Sequence, residues 1–267
     1  MGADIKQLRI RIKSVDSTLH LTAAMGLVAS SKIRRASENM QKSAKYRSAV
    51  EEMIRTLARS RECAKSPYMA EREGNRTRLV VIAGDRGMAG GYNANVFRLL
   101  STLGQAEILP IGKRACDRLG GELRLAEDFT FADARTLAEE LCLDFAAGKF
   151  DRLGILCTHY VSMMKQEPQV LWVLPLVAGE GDTSLGTVFE PDERTVLEAA
   201  VPGYVAGVLY AAVKESFASE VAARRVAMDS AGKNAAEMLD KLGLAYNRAR
   251  QGSITQEITE IVAGSGQ

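Results

Sequence analysis

The sequence predicts an α/β protein in which two long terminal helices form an antiparallel coiled coil around an inserted Rossmann-like α/β domain. Three observations predict this architecture. Apolar and small residues recur at alternating steps of three and four near both ends, and all six prolines lie between Pro67 and Pro202. Between the ends, short β-branched runs alternate with amphipathic segments. We expect coiled-coil helices in 1–66 and 203–267 and the α/β domain in 67–202.

The first arm keeps the three-four spacing for more than seven heptads. The one glycine in its interior, Gly26, costs only about 1 kcal/mol in a helix, and Pro67 is the first proline after it. We call the positions expected to face the partner helix the seam. In the first arm the seam is Ile5, Leu8, Ile12, Val15, Leu19, Thr22, Gly26, Ala29, Ile33, Ala36, Met40, Ser43, Arg47, Val50, Ile54 and Leu57.

The last stretch, Gly203 to Val262, contains no proline and is expected to form one helix. A helix of roughly sixty residues would be about 90 Å long, so most of it needs a mate, which the first arm supplies. Its expected seam is Met228, Ala231, Ala235, Met238, Leu242, Ala245 and Ala249. Small seam residues bury little apolar area, which predicts a thin pair. The alternative is that both helices fold back into a compact bundle.

The middle of the chain reads as alternating strands and helices, which favours a parallel or mixed sheet with helices on its faces. The expected strands are Leu79–Ala83, Ile108–Gly112, Leu153–Thr158 and Gln169–Leu176, the last joined by a loop around Gln166-Glu167-Pro168. The expected helices are Ala94–Leu103, Arg114–Leu119 and Ala134–Ala147.

A glycine-rich turn, residues 84–93 (GDRGMAGGYN), follows the first of these strands. Glycines at such a place can let backbone N–H groups close on a phosphate. This turn matches neither known pattern, because its glycines do not form G-x-G-x-x-G and no Gly-Lys-Ser/Thr follows. Nucleotide binding is therefore the weaker interpretation of the turn.

Composition and charge limit the classes of function that remain possible. The net charge of +2 divides into 14 basic and 6 acidic residues in 1–66, 14 and 20 in 67–202, and 7 and 7 in 203–267. The basic arm is typical of a nucleic-acid or acidic-surface binder, or of a solvated helix face. Scattered aromatic residues argue against an RNA-binding sheet. We expect no nucleic-acid partner.

The four cysteines and two histidines do not have the spacing of a metal site or a catalytic triad. We expect reduced thiols, no metal, no cofactor and no catalytic residue. The N-terminus lacks a secretory leader, and no run of about 18 apolar residues predicts a membrane span.

Three blocks of sequence carry a family resemblance. The first joins residues 12–15 (IKSV), 22–25 (TAAM) and 28–34 (VASSKIR). The second is DRGMAGGYN at 85–93. The third begins with Ala218-Ser219-Glu220 and ends with residues 244–251 (LAYNRARQ) and 253–262 (SITQEITEIV). In this order along the chain, they resemble the gamma subunit of the F-type ATP synthase, bacterial type.

The resemblance implies a central rotor shaft that performs no bond chemistry itself. It implies partners in a ring of three alpha and three beta subunits, in the epsilon subunit and in the membrane-embedded ring of c subunits. The shaft transmits torque between the c-ring and the catalytic head, which couples ion translocation, of H⁺ or Na⁺, to ATP synthesis or hydrolysis. The chain is then expected at the cytoplasmic side of a bacterial cell membrane, peripheral and not spanning it.

The same resemblance implies the interface residues. Those expected to meet the alpha/beta ring are Met25, Lys32, Arg34, Arg35, Arg224, Arg250, Gln251, Thr255 and Glu257. Phe189 and Glu190 match the family's aromatic–Glu–Pro loop at the c-ring. The alternative for each is a solvated helix face or an ordinary loop.

Several positions depart from the family pattern and put the strength of coupling in question. Met88-Ala89 stand where Leu-Cys is usual, Ala24 replaces a common Lys, and Gly26 replaces a helix former. In the last helix Arg225 replaces a common Met, and Gly232 replaces a common Thr. The competing interpretation of the whole chain is a nucleotide-dependent α/β enzyme with a helical interaction arm.

Overall fold

The computed structural model describes residues 2–70, 72, 74–177 and 189–265. In chain order these form α1 (Gly2–Leu57), a 3-10 turn (Cys63–Lys65), β1 (Thr77–Ile82), α2 (Tyr92–Leu100), β2 (Glu107–Ile111), α3 (Lys113–Leu119), α4 (Phe131–Ala146), β3 (Arg152–Ser162), β4 (Lys165–Leu174) and α5 (Glu193–Ser265). Residues 31–223 make one compact unit, and residues 1–30 with 224–267 make another. The sequence predicts a different division, into the three parts 1–66, 67–202 and 203–267, and that division stays a prediction.

The four strands lie in the order β2-β1-β3-β4. β1 is parallel to both β2 and β3, whereas β3 and β4 form an antiparallel hairpin. Successive side chains of a strand point to opposite faces. Val80 and Ile82 therefore join the core that contains α4 and part of α5, while Leu79 and Val81 join the core that contains α2 and α3. The predicted Rossmann-like arrangement is confirmed.

β4 begins earlier than predicted, because Gln166, Glu167 and Pro168 belong to the strand rather than to a loop. Pro168 is paired opposite Thr158. Proline lacks an N–H donor and is tolerated on an edge strand, and β4 is at the edge of this sheet. The same reason accounts for Pro110 in the other edge strand, β2.

α5 also begins earlier than predicted, at Glu193 rather than Gly203, and Pro202 lies inside it. The Thr195 N–H donates to the Asp192 carboxylate at 2.8 Å, which is a helix N-cap. Leu197, Val201 and Val205 are fully buried on either side of Pro202. Their burial offsets the hydrogen bond that the proline cannot make.

The unit made of residues 1–30 and 224–267 is an antiparallel helix pair. Arg9 donates from Nη2 to the Tyr246 hydroxyl at 2.9 Å. A Cβ placed on Gly232 would lie 3.5 Å from Oγ1 of Thr22, and one on Gly26 would lie 3.7 Å from Cβ of Met228. Since residue numbers rise along one helix as they fall along the other, the predicted antiparallel coiled coil is confirmed.

The seam of α1 is as predicted, because every one of its positions is buried or half-buried. The predicted seam of α5 is wrong at two positions, since Met238 is 42% exposed and Ala245 is also exposed. Leu239 and Tyr246 take their places and are half-buried. Steps of three and four fit both sets, and Tyr246 offers a much larger side chain for burial than Ala245 does.

One window of α5 has the length and apolar composition of a membrane span, although the sequence contains no uninterrupted run of about 18 apolar residues. Of that window, 56% is buried inside the protein. Core helices of water-soluble folds share this property, because they too must be apolar on most sides.

Candidate functional site

Three backbone N–H groups of the glycine-rich turn donate to the protein's own side chains. Asp85 and Arg86 donate their N–H groups to the two carboxylate oxygens of Glu220, both at 3.2 Å. The Gly84 N–H donates to Oδ1 of Asn93 at 2.9 Å. A phosphate held by this turn would need the donors that Glu220 occupies. The turn therefore presents no free cradle to a nucleotide at Asp85 and Arg86.

The Asp85 carboxylate connects the turn to two other segments. It accepts N–H bonds from Lys113 at 3.1 Å, from Ala126 at 3.0 Å and from Glu127 at 2.8 Å. Hydrogen bonds to an ionised acceptor are among the stronger ones in proteins. Asp85 thus ties the start of α3 and the segment before α4 to the end of β1.

α5 is anchored beside this turn by buried polar groups. The Tyr92 hydroxyl donates to the Ser216 carbonyl at 2.9 Å, and the Thr158 N–H donates to Oγ of Ser216 at 3.0 Å. Burial raises the pKa of Tyr92, so the phenol stays protonated. α2, β3 and α5 are held together at this point.

A cleft beside the turn contains two of the predicted ring-contact residues, Lys32 and Arg35. It is lined by Ser31, Lys32, Arg35, Ala36, Asn39, Glu127, Asp128 and Phe217. Lys32 forms an ion pair with one oxygen of Glu127, and Nη2 of Arg86 lies 3.5 Å from the other. No sequence motif indicated Glu127, because it is 95 residues from Lys32 in the chain.

The remaining predicted ring-contact residues of α1 differ in exposure. Arg34 is exposed and pairs with Glu38 at 3.1 Å, one turn along the same helix. Arg35 is exposed and Met25 is half-buried. Of the four predicted ring-contact residues on α1, only Lys32 has a described ion pair with a residue outside that helix.

On α5 the predicted ring-contact residues fall into two groups. Arg224 is half-buried, whereas Arg250, Gln251, Thr255 and Glu257 are exposed near the end of the helix. The Thr255 hydroxyl donates to the Gln251 carbonyl at 2.9 Å. These four side chains are close in the helix and are open to a partner.

The end of α5 also exposes apolar side chains that the sequence reasoning did not single out. The exposed fractions are 43% for Ile254, 57% for Ile258, 70% for Ile261 and 64% for Val262. Every residue from 254 to 264 is exposed. Contiguous apolar surface of this kind marks an interaction site. Steps of three and four between these residues were the available signal.

The predicted c-ring residues lie just before α5. Phe189 is half-buried and packs against the core of the 31–223 unit. Glu190 is exposed and precedes Pro191 through a cis peptide bond. One of the two side chains is therefore part of the core, and the other is available at the surface.

Two departures from the family pattern contact each other in the helix pair. A Cβ on Gly26 would lie 3.1 Å from Nη1 of Arg225. Gly26 thus gives the guanidinium room to pass close to the α1 backbone. Sequence reasoning treated these two positions as separate and missed their contact.

Among the residues that the structure describes, no group of three or more His, Cys, Asp or Glu side chains is placed to hold a metal ion. The four cysteines are free and buried. Burial raises the pKa of Cys142 and Cys157 to about 12, which keeps these thiols protonated and weakly nucleophilic.

The chain matches the ATP synthase family over residues 4–266. Among curated proteins, the chain is similar to the ATP synthase gamma chain of Ruminococcus albus, with 41% identity over 98% of each chain. It is also similar to the ATP synthase gamma chains of Alkaliphilus metalliredigens and Moorella thermoacetica, each with 37% identity, over 99% and 98% of each chain respectively.

Solved structures show the same fold. The chain matches a chain of the Euglena gracilis mitochondrial ATP synthase rotor with a TM-score of 0.68 and 19% identity, over 95% of this chain and 100% of that one. A chain from the Tetrahymena thermophila mitochondrial ATP synthase central stalk and c-ring gives a TM-score of 0.63 and 21% identity, over 79% and 99%.

Proposed function

Because the chain belongs to the ATP synthase gamma chain family, we propose that it is the central-stalk subunit of a bacterial F-type ATP synthase. In this role it transmits torque between a ring of c subunits and a head of three alpha and three beta subunits. The beta subunits carry out catalysis, and this chain contributes no catalytic residue. The resemblance found in the sequence analysis is confirmed at the level of the family.

The observation that carries the proposal is the exposed end of α5. Residues 254–264 are exposed throughout, and four of them are large aliphatic side chains. Leaving such surface in water is unfavourable by roughly 25 cal/mol per Å², so a protein partner is expected to cover it. A ring of subunits around this end would bury apolar residues and meet Arg250, Gln251, Thr255 and Glu257 at once.

The other proposed ring contacts are Met25, Lys32, Arg34, Arg35 and Arg224. Arginine and lysine suit acidic loops of a surrounding ring, since complementary charge orients the partners and speeds their encounter. As each ring position meets a different face of the stalk, differential contacts shift the populations of its open and closed states. This is how a subunit without catalytic groups governs catalysis elsewhere.

For Lys32 the proposal has a specific cost. Its ammonium already pairs with Glu127, and both side chains are about one-third exposed, 33% and 32%. A carboxylate from the ring must replace Glu127 or join it. Arg86 lies close enough to retain Glu127 during this exchange.

We place the c-ring contact at Glu190, with Phe189 holding the loop on the core. The complex would sit at the cytoplasmic side of the cell membrane, with this chain peripheral to the bilayer and also in contact with the epsilon subunit. The rotor and c-ring assemblies that contain its structural relatives support a position next to the c-ring.

The nucleotide-dependent enzyme is the disfavoured alternative. Its one supporting feature was the glycine-rich turn, where the N–H groups of Asp85 and Arg86 already donate to the Glu220 carboxylate. The purified chain should accordingly neither bind nor hydrolyse ATP.

Co-expression with bacterial alpha and beta subunits tests the assignment. We expect one copy of this chain for every three alpha and three beta subunits, measured by native mass spectrometry. A different ratio, or purification of the ring without this chain, would contradict the central-stalk role.

Arg250→Ala tests the contribution of the end of α5, and Arg248→Ala is its matched control. Both arginines are exposed and lie on the same turn of helix. In vesicles containing the whole complex, we expect Arg250→Ala to lower the number of protons pumped per ATP hydrolysed, whereas Arg248→Ala leaves it unchanged. Equal ratios for the two variants and the wild type would remove Arg250 from the interface.

A further inference from the structure

We infer that the glycine-rich turn is an anion-binding site whose resident ligand is the carboxylate of Glu220, and that a small carboxylate or other oxyanion can replace it when that side chain is removed. This inference concerns the isolated chain and does not rest on the central-stalk proposal.

The first support is the convergence of donors. The N–H groups of Asp85 and Arg86 are consecutive in the chain and point to different oxygens of the same carboxylate. Consecutive N–H groups that converge in this way form a concave anion site, as in phosphate-binding loops. The ligand that the site holds here comes from α5, 134 and 135 residues away.

The second support is the burial of the ligand. Glu220 is only 1% exposed. An ionised carboxylate is placed in such surroundings only when hydrogen-bond donors compensate for the lost water. Backbone N–H groups of the turn are among the compensating donors, so the turn and the buried charge depend on each other.

The third support is the space around Gly84. A Cβ at this position would lie 2.8 Å from Cδ of Glu220, so a residue with a side chain would push the carboxylate away. Glycine at 84 therefore serves the same purpose as in a phosphate-binding loop, which is close approach of the ligand to the backbone. The turn has the chemistry of an anion site although it lacks both nucleotide patterns.

Removing the side chain tests the site directly. Glu220→Ala leaves the N–H groups of Asp85, which is buried, and Arg86 without this acceptor, and it leaves a space of carboxylate size. We expect the thermal unfolding midpoint of the full chain to fall by roughly 5–15 °C. Sodium formate should restore at least half of this loss, with an effect in the millimolar range, because a three-atom ligand binds no more tightly than that.

Sodium chloride at the same ionic strength controls for screening, and inorganic phosphate tests whether a larger oxyanion also fits. Glu198→Ala is the matched control, since Glu198 is on the same helix and pairs instead with Arg194 at the surface. Its midpoint should not respond to formate beyond the chloride control. An equal formate effect on wild type, Glu220→Ala and Glu198→Ala would overturn the inference.

Glu220→Gln keeps the shape of the side chain but replaces one oxygen and removes the charge. We expect a lower midpoint with no response to formate, since the space is filled. In its amide NMR spectrum the signals of Asp85 and Arg86 should shift upfield, because a neutral acceptor binds them more weakly. The Lys113 signal, which reports the bond to Asp85, should stay in place. Unchanged Asp85 and Arg86 signals would contradict the assignment even if Glu220→Ala did not fold.

Discussion

Within α5, the residues from Val205 to Ala222 and those from Ile254 to Gly264 have opposite surroundings. In the first stretch all but Tyr210, Glu215 and Phe217 are buried, whereas every residue of the second is exposed. Both stretches are helical. Packing stabilises the first against the sheet and α1, while the second depends on local helix propensity until a partner covers it. One helix thus serves as a core element in one stretch and as an interaction surface in another.

The largest expected effect comes from opening a cavity in the buried stretch. Leu209 is 0% exposed, so Leu209→Ala should lower the free energy of unfolding by about 2–5 kcal/mol. Ile258 is 57% exposed, and Ile258→Ala should change it by less than about 0.5 kcal/mol. Urea unfolding of the isolated chain measures both. Similar losses for the two variants would show that the end of α5 is packed in solution.

Two glycines give opposite signs for the same substitution. A Cβ on Gly84 meets the buried Glu220, so Gly84→Ala should destabilise the chain by roughly 1–3 kcal/mol. Gly252 has nothing within 4 Å of such a Cβ. Gly252→Ala should stabilise the helix by up to about 1 kcal/mol, since alanine has the higher helix propensity. Differential scanning calorimetry reports the two shifts in midpoint, and shifts of the same sign would contradict this contrast.

The corrected seam of α5 predicts a smaller difference between neighbouring positions. Leu239 is half-buried and Met238 is 42% exposed. We expect Leu239→Ala to lower the free energy of unfolding by about 1 kcal/mol more than Met238→Ala does. Leu239→Ala should also decrease the amount of helix that unfolds last on heating. Circular dichroism during thermal unfolding measures this. The reverse order would restore the seam that the sequence predicted.

Acid should act mainly on the compact unit formed by residues 31–223. A hydrogen bond from Arg76 lowers the pKa of Asp151, and one from Arg78 lowers the pKa of Asp144. A carboxyl whose folded pKa is depressed stabilises the fold above its unfolded pKa of about 3.9, and this contribution is lost as the pH falls further. Stability should therefore decline below about pH 4.

Asp151→Asn removes one of these carboxyls, so the difference in unfolding free energy between pH 5.5 and pH 3 should become smaller. Arg76→Gln should act in the same direction, because it removes the donor that depresses the Asp151 pKa. Urea titrations at the two pH values measure this. An unchanged difference in both variants would exclude this pair as a source of acid sensitivity.

Much of the fold follows from local patterns. The α1 seam and the four strands were predictable because the three-four spacing and short β-branched runs are local features that need no knowledge of distant residues. The start of α5 was missed because Pro202 was taken as a boundary, although Asp192 and Thr195 formed a recognisable cap ahead of it. The choice of Met238 over Leu239 failed because two seams fit the same spacing.

The candidate site was predictable only in part. The resemblance identified the residues of α1 and α5 that we propose as ring contacts, since each belongs to a short motif. Glu127 beside Lys32 and Arg225 beside Gly26 carried no such signal, because each pair forms between distant segments. The partner of a side chain is set by how the chain folds, and no local rule encodes it.

The sequence by itself determined the element types, the antiparallel pairing of the two long helices and the family, because periodicity, proline positions and motifs are local. The tertiary structure alone decided what fills the glycine-rich turn. Glycines make a close approach possible, but whether a phosphate or a side chain approaches depends on what the fold brings there. Here α5 carries Glu220 into the turn, so the turn joins a helix to a sheet.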